Sequence, residues 1–342
     1  MKELKFWGAA LVVAGILIRP EASVAGAQRA MRLWCGSVAP ALFPFLALLP
    51  VLTGPEACAA YNAALSRMMR PLFGLPGAAA PALFIGMISG SPGGALAVRR
   101  VAGETGMRCA EARRVALALS GLSPAYLILG VGQGLYGSAA LGVRLALIQA
   151  CAQLILLALL RYMDSGDDAR VEPLTDAARE RNPVHAAVES VLAICGYMVL
   201  FSAVACAAAS FAGEWVGMAL LLVADLPSGL AGLAQWQVPG RMLIQGAAIG
   251  FGGLCIAAQN LDAVRARGVR ARDYFAVRGV AAGLIACACG LLLRPADSGA
   301  EQFANAGGNA YAFSLLAAGI IALPGLFFLT RNLFLNIRRR GV

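Results

Sequence analysis

The chain has 342 residues, of which 60% are hydrophobic and only 13% charged, and its mean hydropathy is +0.74. Soluble globular domains carry about 25% charged residues, so the composition excludes an ordinary soluble domain and predicts an all-α polytopic membrane protein. The net charge of +10 does not predict a nucleic-acid partner, because the arginines lie between apolar runs, as topology determinants of membrane proteins do.

The first apolar segment fits two interpretations. Lys2 and Lys5 precede the apolar core 6–18, and small residues follow at 22–27, as in a cleaved signal peptide. The same core also fits a retained first helix. The residues of this segment alone leave both interpretations open.

Seven further apolar runs predict membrane-spanning helices, which gives about eight spans with the first segment. In chain order the seven are 38–52, 115–131, 141–160, 184–211, 242–261, 277–293 and 310–329. A helix needs about 20 mostly apolar residues to cross a bilayer. Ser, Gly and Pro residues interrupt 115–131 and 242–261, so we predict broken helices there.

Two other apolar stretches, 72–98 and 216–238, carry an interruption in their interior. The first contains Ser89-Gly-Ser-Pro-Gly-Gly94 and the second contains Ala224-Asp-Leu-Pro-Ser-Gly229. Non-helical backbone is tolerated at membrane depth only where it is packed in protein or lines a watery cavity. We therefore predict two re-entrant hairpins, each of which enters and leaves the membrane on one side.

The distribution of arginine residues tests this arrangement. The segments 99–114, 265–278 and 331–340 are arginine-rich, and positive charge favours the cytoplasmic side. With two hairpins, all three segments and both chain termini are predicted to be cytoplasmic. The segment 19–35, which carries three arginines, is the exception because it falls on the outer side.

A polar segment at 162–183 divides the chain into the halves 1–161 and 184–342. In each half an apolar span is followed by a hairpin, a broken helix and a final long span. This common plan predicts an inverted repeat. Interrupted segments at corresponding positions of two halves indicate a transporter site.

The predicted substrate site consists of the residues at the four interruptions. Glycine permits close approach and unusual backbone angles, while half-helix N-termini attract anions and serine hydroxyls cap them. The candidates are Ser89, Gly90, Ser91, Gly93, Gly94, Ser120, Ser123, Asp225, Ser228, Gly229, Gly252, Gly253 and Gln259.

Three of these predictions have a structural alternative. Gln259 hydrogen-bonds either a substrate or a neighbouring helix. The interruptions are also compatible with simple kinks that neighbouring helices fill. Asp225 either binds substrate or a coupling cation (Na⁺ or H⁺), since a charge inside a membrane is costly and usually functional, or merely caps the break.

No catalytic residue, metal site or cofactor is predicted. The sequence contains neither a P-loop nor an HExxH motif, and its nine cysteines lie mostly inside apolar runs without metal-ligand spacing. The predicted partners are a small solute and the lipid bilayer, and self-association into a homo-oligomer is left open.

Five motifs resemble the sporulation integral membrane proteins of the YlbJ type. They are WCGSVAPALFPF at 34–45, RPLFGLPG at 70–77, the stretch 86–95, GVGQGLYG at 130–137, and FGGLCIAAQ at 251–259. That family belongs with the nucleoside-recognition, or gate, domain proteins and is similar in plan to concentrative nucleoside transporters. Arg19-Pro20-Glu21 also matches the family, which favours a retained first helix.

The resemblance implies a secondary transporter linked to endospore formation, in the bacterial cell or forespore membrane. Its solute would be anionic or heteroaromatic, either dipicolinate-like or nucleoside-like. The chain departs from the family pattern at Ser120-Gly-Leu-Ser-Pro124 and at Asp225-Leu-Pro-Ser-Gly229, where side-chain amides are lost, so the substrate or coupling ion can differ. The alternative is a non-transporting membrane scaffold for sporulation or envelope assembly.

Overall fold

The computed structural model describes residues 2–163, 169–174, 182–238, 240–264 and 269–293. Within these ranges the chain forms α-, π- and 3₁₀-helices, and the only strand-like pairing is an isolated bridge between Arg108 and Arg170. The prediction of an all-α membrane protein is confirmed. The predicted span 310–329 and the arginine-rich segment 331–340 lie outside the described residues.

The first half contains eight α-helices and two π-helical segments. They are α1 (Lys2–Ile18), α2 (Pro20–Leu33), π1 (Trp34–Val38), α3 (Ala39–Leu52), α4 (Pro55–Phe73), α5 (Ala80–Ser89), α6 (Gly93–Thr105), α7 (Cys109–Ala118), π2 (Tyr126–Leu135) and α8 (Ala139–Leu160). Six helices are described in the second half. They are α9 (Pro183–Ala209), α10 (Glu214–Ala224), α11 (Leu226–Gln235), α12 (Arg241–Phe251), α13 (Gly253–Val264) and α14 (Ala271–Leu292).

Five helices of the described chain are long and apolar enough to cross a membrane. They are Pro20–Leu52, Ala139–Leu160, Pro183–Ala209, Arg241–Val264 and Ala271–Leu292. A sixth span results if α4 and the segment Gly77–Ser89, which meet at 95°, count as one. The predicted number of about eight is not reproduced among these residues, because several apolar runs, such as Tyr126–Leu135, form helices too short to span.

The segment 19–35, expected to lie outside the membrane core, is helical. The helix continues from α2 through π1 into α3 without a loop, and is 33 residues long. Small buried residues let α2 approach α9 closely, and a Cβ at Gly26 would lie 2.6 Å from the carbonyl oxygen of Ser202. The polar residues of α2 therefore do not end the helix, which continues through this segment into α3.

Each stretch predicted as a hairpin forms two short helices that pack against each other. α5 and α6 meet at the residues 90–92, and a Cβ at Gly94 would lie 2.9 Å from Cα of Gly86. α10 and α11 are separated by Asp225 alone, and a Cβ at Gly229 would lie 2.6 Å from Cα of Leu222. The arms span 80–105 and 214–235, so α6 continues through Arg99-Arg100 and does not stop there.

The two segments predicted as broken helices are interrupted in different ways. Residues 119–125 separate α7 from π2, whereas only Gly252 separates α12 from α13. Gly252 and Gly253 have φ angles of +84° and +81°, a region that L side chains avoid. Glycine is therefore required at the second interruption.

Buried arginines donate hydrogen bonds to carbonyl groups at the C-terminal ends of three helices. Arg278 donates to the carbonyl oxygens of Phe251 (3.1 Å) and Gly250 at the end of α12. Arg241 does the same at the end of α11, and Arg114 at the end of α4. Helix C-termini leave carbonyl groups unpaired and carry partial negative charge, so these arginines stabilise the ends of the three helices. Arg278 thereby stabilises the interruption between α12 and α13.

We expect Arg278→Met to lower the free energy of unfolding by about 2 kcal/mol, because it leaves buried carbonyl groups without a donor. The measurement is the thermal unfolding midpoint of the purified protein in detergent. The matched control is Arg272→Met, since the Arg272 side chain is 63% exposed. Equal midpoints for the two variants would contradict the capping role.

Candidate functional site

A cavity of about 410 Å³ lies where the interrupted segments meet. We call it the central cavity. Its wall combines the π1 region, the α5–α6 tip, the start of π2, the face of α9, the α10–α11 tip and the interruption between α12 and α13. Its polar lining residues are Ser37, Ser89, Ser91, Ser123, Tyr126, Asp225 and Gln259.

Six of the thirteen predicted site residues line this cavity. These are Ser89, Ser91, Ser123, Asp225, Gly252 and Gln259. The structure thus brings residues from both halves of the chain to one place. The other seven are not part of the lining: Gly90, Gly93, Gly94, Ser120, Ser228, Gly229 and Gly253. The glycines among them serve close packing of short helices, as Gly94 and Gly229 show.

In the first half, the α5–α6 tip packs against the interruption at 119–125. The backbone N–H of Ser91 donates to the carbonyl oxygen of Gly121 at 2.7 Å. Gly90 has a φ of +66°, and a Cβ there would overlap the backbone nitrogen of Ser123. The hairpin tip and the broken helix therefore form one unit.

A single glutamine holds the interruption at 119–125. Gln149 of α8 accepts from the N–H of Leu122 at 3.0 Å and donates to its carbonyl oxygen at 2.7 Å. The Gln149 side chain is 3% exposed. Because unpaired backbone groups are costly in a membrane interior, this paired contact stabilises the non-helical backbone beside the cavity.

The second half repeats this arrangement with different residues. A Cβ at Gly253 would lie 3.3 Å from Cβ of Leu226 and 3.4 Å from the carbonyl oxygen of Val223. The α10–α11 tip therefore packs against the interruption between α12 and α13. The inverted repeat itself stays a prediction.

Asp225 is the only charged residue among those described as lining the central cavity. It is 6% exposed. The Ser202 hydroxyl donates to Asp225 Oδ2 at 2.7 Å and lies 3.0 Å from the carbonyl oxygen of Gly26, and Ser228 also hydrogen-bonds the carboxyl group. Asp225 is therefore held by side chains of α9 and α11 at the edge of the cavity.

One asparagine joins the two halves behind the cavity wall. Asn260 donates from Nδ2 to Ser91 Oγ and to Tyr274 Oη, both at 3.0 Å. Asn260 is 2% exposed, and its Oδ1 has no hydrogen-bond partner among the described residues. It fixes the α5–α6 tip of the first half to α13 and α14 of the second.

The predicted site omits several residues that the structure places at or beside the cavity. Ser37 and Tyr126 belong to the π segments, which are common at functional sites but have no distinctive sequence pattern. Ser202 and Asn260 reach the site across the fold. The polarity of Asn260 in an apolar helix is the one signal that could have drawn attention to it.

Comparison with known proteins adds one relative. The chain is similar to the sporulation integral membrane protein YlbJ of Bacillus subtilis (strain 168), with 31% identity over 135 residues. This match supports a YlbJ-type family. It covers 40% of this chain and 33% of the relative, so the matched part spans about a third of the relative's length. The chain is therefore a membrane protein related to a sporulation integral membrane protein.

Two further comparisons give no match. No protein-family model matches the chain. No solved structure matches it either.

We expect Gly90→Ala to destabilise the protein much more than Gly106→Ala. Gly106, with φ +58° and ψ +36°, is in the left-handed helical region, where alanine carries a strain of about 1–2 kcal/mol. Gly90, with φ +66° and ψ −160°, is in a region that is essentially restricted to glycine, so its alanine variant carries the larger backbone strain. Only the Gly90 variant adds a clash with Ser123, because no atom lies within 4 Å of a Cβ at Gly106. Thermal unfolding in detergent measures the difference, and equal losses would show that the tip does not pack on the interruption.

Proposed function

We propose that the protein is a secondary transporter and that the central cavity is its solute site. The observation that carries this proposal is the convergence of two hairpin tips and two helix interruptions from both halves on one cavity. Its volume of about 410 Å³ lies within the range of small-molecule sites, about 300–1,000 Å³. This cavity favours a transporter over a membrane scaffold, because the function of a scaffold does not require a solute-sized cavity.

The lining supports a solute with an apolar, ring-sized body and a few polar groups. Apolar side chains such as Leu122, Met198 and Ile256 surround most of the cavity. Serine hydroxyls and the amide of Gln259 offer donors and acceptors at its wall. A single heteroaromatic ring with short polar substituents fits this pattern.

The charge of the cavity bears on the choice between an anionic and a neutral solute. Every interruption has one helix C-terminus and one N-terminus beside it, so their opposite partial charges offset each other. The described lining then carries one carboxyl group and no basic side chain. An ionised Asp225 would repel a dianion in this buried site, and we propose that a coupling cation or proton neutralises its carboxyl group when an anionic solute binds.

Two probes of equal size and different charge test this proposal: pyridine-2,6-dicarboxylate and pyridine-2,6-dimethanol. We expect at least one to raise the unfolding midpoint of the purified protein and to enter proteoliposomes. Stabilisation by the dicarboxylate should depend on Na⁺ or on pH, and Asp225→Asn should remove that dependence. If neither probe stabilises the protein or is taken up, the scaffold alternative is favoured.

Variants of the cavity wall test the assignment of the site. Ser91→Ala and Asp225→Asn should each reduce uptake about tenfold or more, because a hydrogen bond to a charged or buried group contributes about 1.5–3 kcal/mol. The control is Asp273→Asn, at the start of α14, since Asp273 does not line the cavity. Unchanged uptake in both cavity variants would refute this site.

A further inference from the structure

A second cavity, of about 690 Å³, lies next to the central cavity. We call it the vestibule. Its lining comes from α3, α6, α9 and α13, and includes Arg99, Arg100, Asp262 and also Leu174 of the polar segment between the halves. It is therefore much more polar than the central cavity and lies on the arginine-rich side of the fold.

The two cavities share part of their walls. Ile194 of α9 and Gln259 of α13 line both of them. At the α5–α6 tip, Ser91 lines the central cavity while the next residue, Pro92, lines the vestibule. At these three positions the partition is only one residue thick.

The contacts that hold the partition are of two kinds. Ile194 is 5% exposed and packs in an apolar cluster with Leu42, Leu46 and Val191. The tip is held by the hydrogen bond from Asn260, the neighbour of Gln259, to Ser91. A small shift of the tip relative to α9 would therefore separate these residues without unfolding either helix.

The central cavity reaches the surface elsewhere. Its lining includes Ser37 of π1 and Leu129 of π2, which are exposed, Leu129 by 67%. In this conformation the cavity thus extends toward the surface between the two π segments, while the partition separates it from the vestibule.

We infer that Ile194, Gln259 and the α5–α6 tip form the barrier that closes the solute site toward the vestibule, and that the vestibule is the exit toward the arginine-rich face. The inference rests on the proposed role of the central cavity as the solute site. The solute would then leave the central cavity through the vestibule. Ile194, which is not part of the predicted site, is the side chain that closes this path.

A natural cysteine allows a direct test. Cys255 lines the central cavity and not the vestibule. With the other eight cysteines replaced by alanine, Cys255 becomes the reporter of access. A membrane-impermeant methanethiosulfonate is applied to right-side-out and to inverted vesicles, and the rate of modification is measured from each face.

We expect slow modification of Cys255 from the vestibule face in the parent protein. Ile194→Ala should accelerate it at least about tenfold, the effect of removing a barrier of about 1.4 kcal/mol. The matched control is Leu192→Ala on the same helix, because Leu192 is 56% exposed and lines neither cavity. Its rate should equal that of the parent.

The inference is overturned if Ile194→Ala, folded by size-exclusion chromatography, leaves the vestibule-face rate unchanged, or if the parent is already modified equally fast from that face. Should Ile194→Ala not fold, Ile194→Val is measured against the same criteria, with a smaller acceleration expected. Labelling requires neither uptake nor a known solute. Faster labelling without stabilisation or uptake of either pyridine probe would therefore favour the scaffold alternative and retain the barrier.

Discussion

The fold depends on one constraint: backbone groups freed by an interrupted helix must find partners inside the protein, because the bilayer offers none. Three of the interruptions described here meet this constraint with different partners. Gln149 pairs both backbone groups of Leu122, Arg278 binds the last carbonyls of α12, and the Ser91 N–H bonds Gly121. Without these partners, the unpaired backbone groups of a broken helix beside a cavity would destabilise the fold.

The same partners also place the cavity. A hairpin tip in each half packs on the interruption of that half, and Asn260 then ties the first tip to the second half. The two hairpin tips and the two helix interruptions enclose the central cavity. Its neighbour, the vestibule, is separated from it by the same tip. The residues that pair the interrupted backbone therefore also lie along the proposed transport route.

Two buried ionisable side chains, one acidic and one basic, lie near the second interruption. Asp225 lines the cavity with Gly252, and the Arg278 guanidinium is 3.5 Å from the position of a Cβ at Gly252. The Arg278 guanidinium donates to carbonyl oxygens at the end of α12. Few of its N–H groups are therefore left to bind an anion. A buried charge is stable only when it is paired or hydrogen-bonded, and here each charge is bonded to neutral groups. Among the described lining residues, the carboxyl group of Asp225 is therefore the one ionisable carboxyl that faces the cavity.

The amino-acid sequence by itself determined the all-α membrane class and the places where helices break, because apolar content, Gly, Pro and Ser act locally. Only the tertiary structure decided which of those residues face the cavity. Ser91 and Gly93 are two residues apart, yet only Ser91 lines it, and the Asn260–Ser91 bond joins residues 169 positions apart. Likewise, Arg278 resembles a loop arginine until α14 places it against the end of α12. Such roles depend on packing between distant segments, which no local pattern encodes.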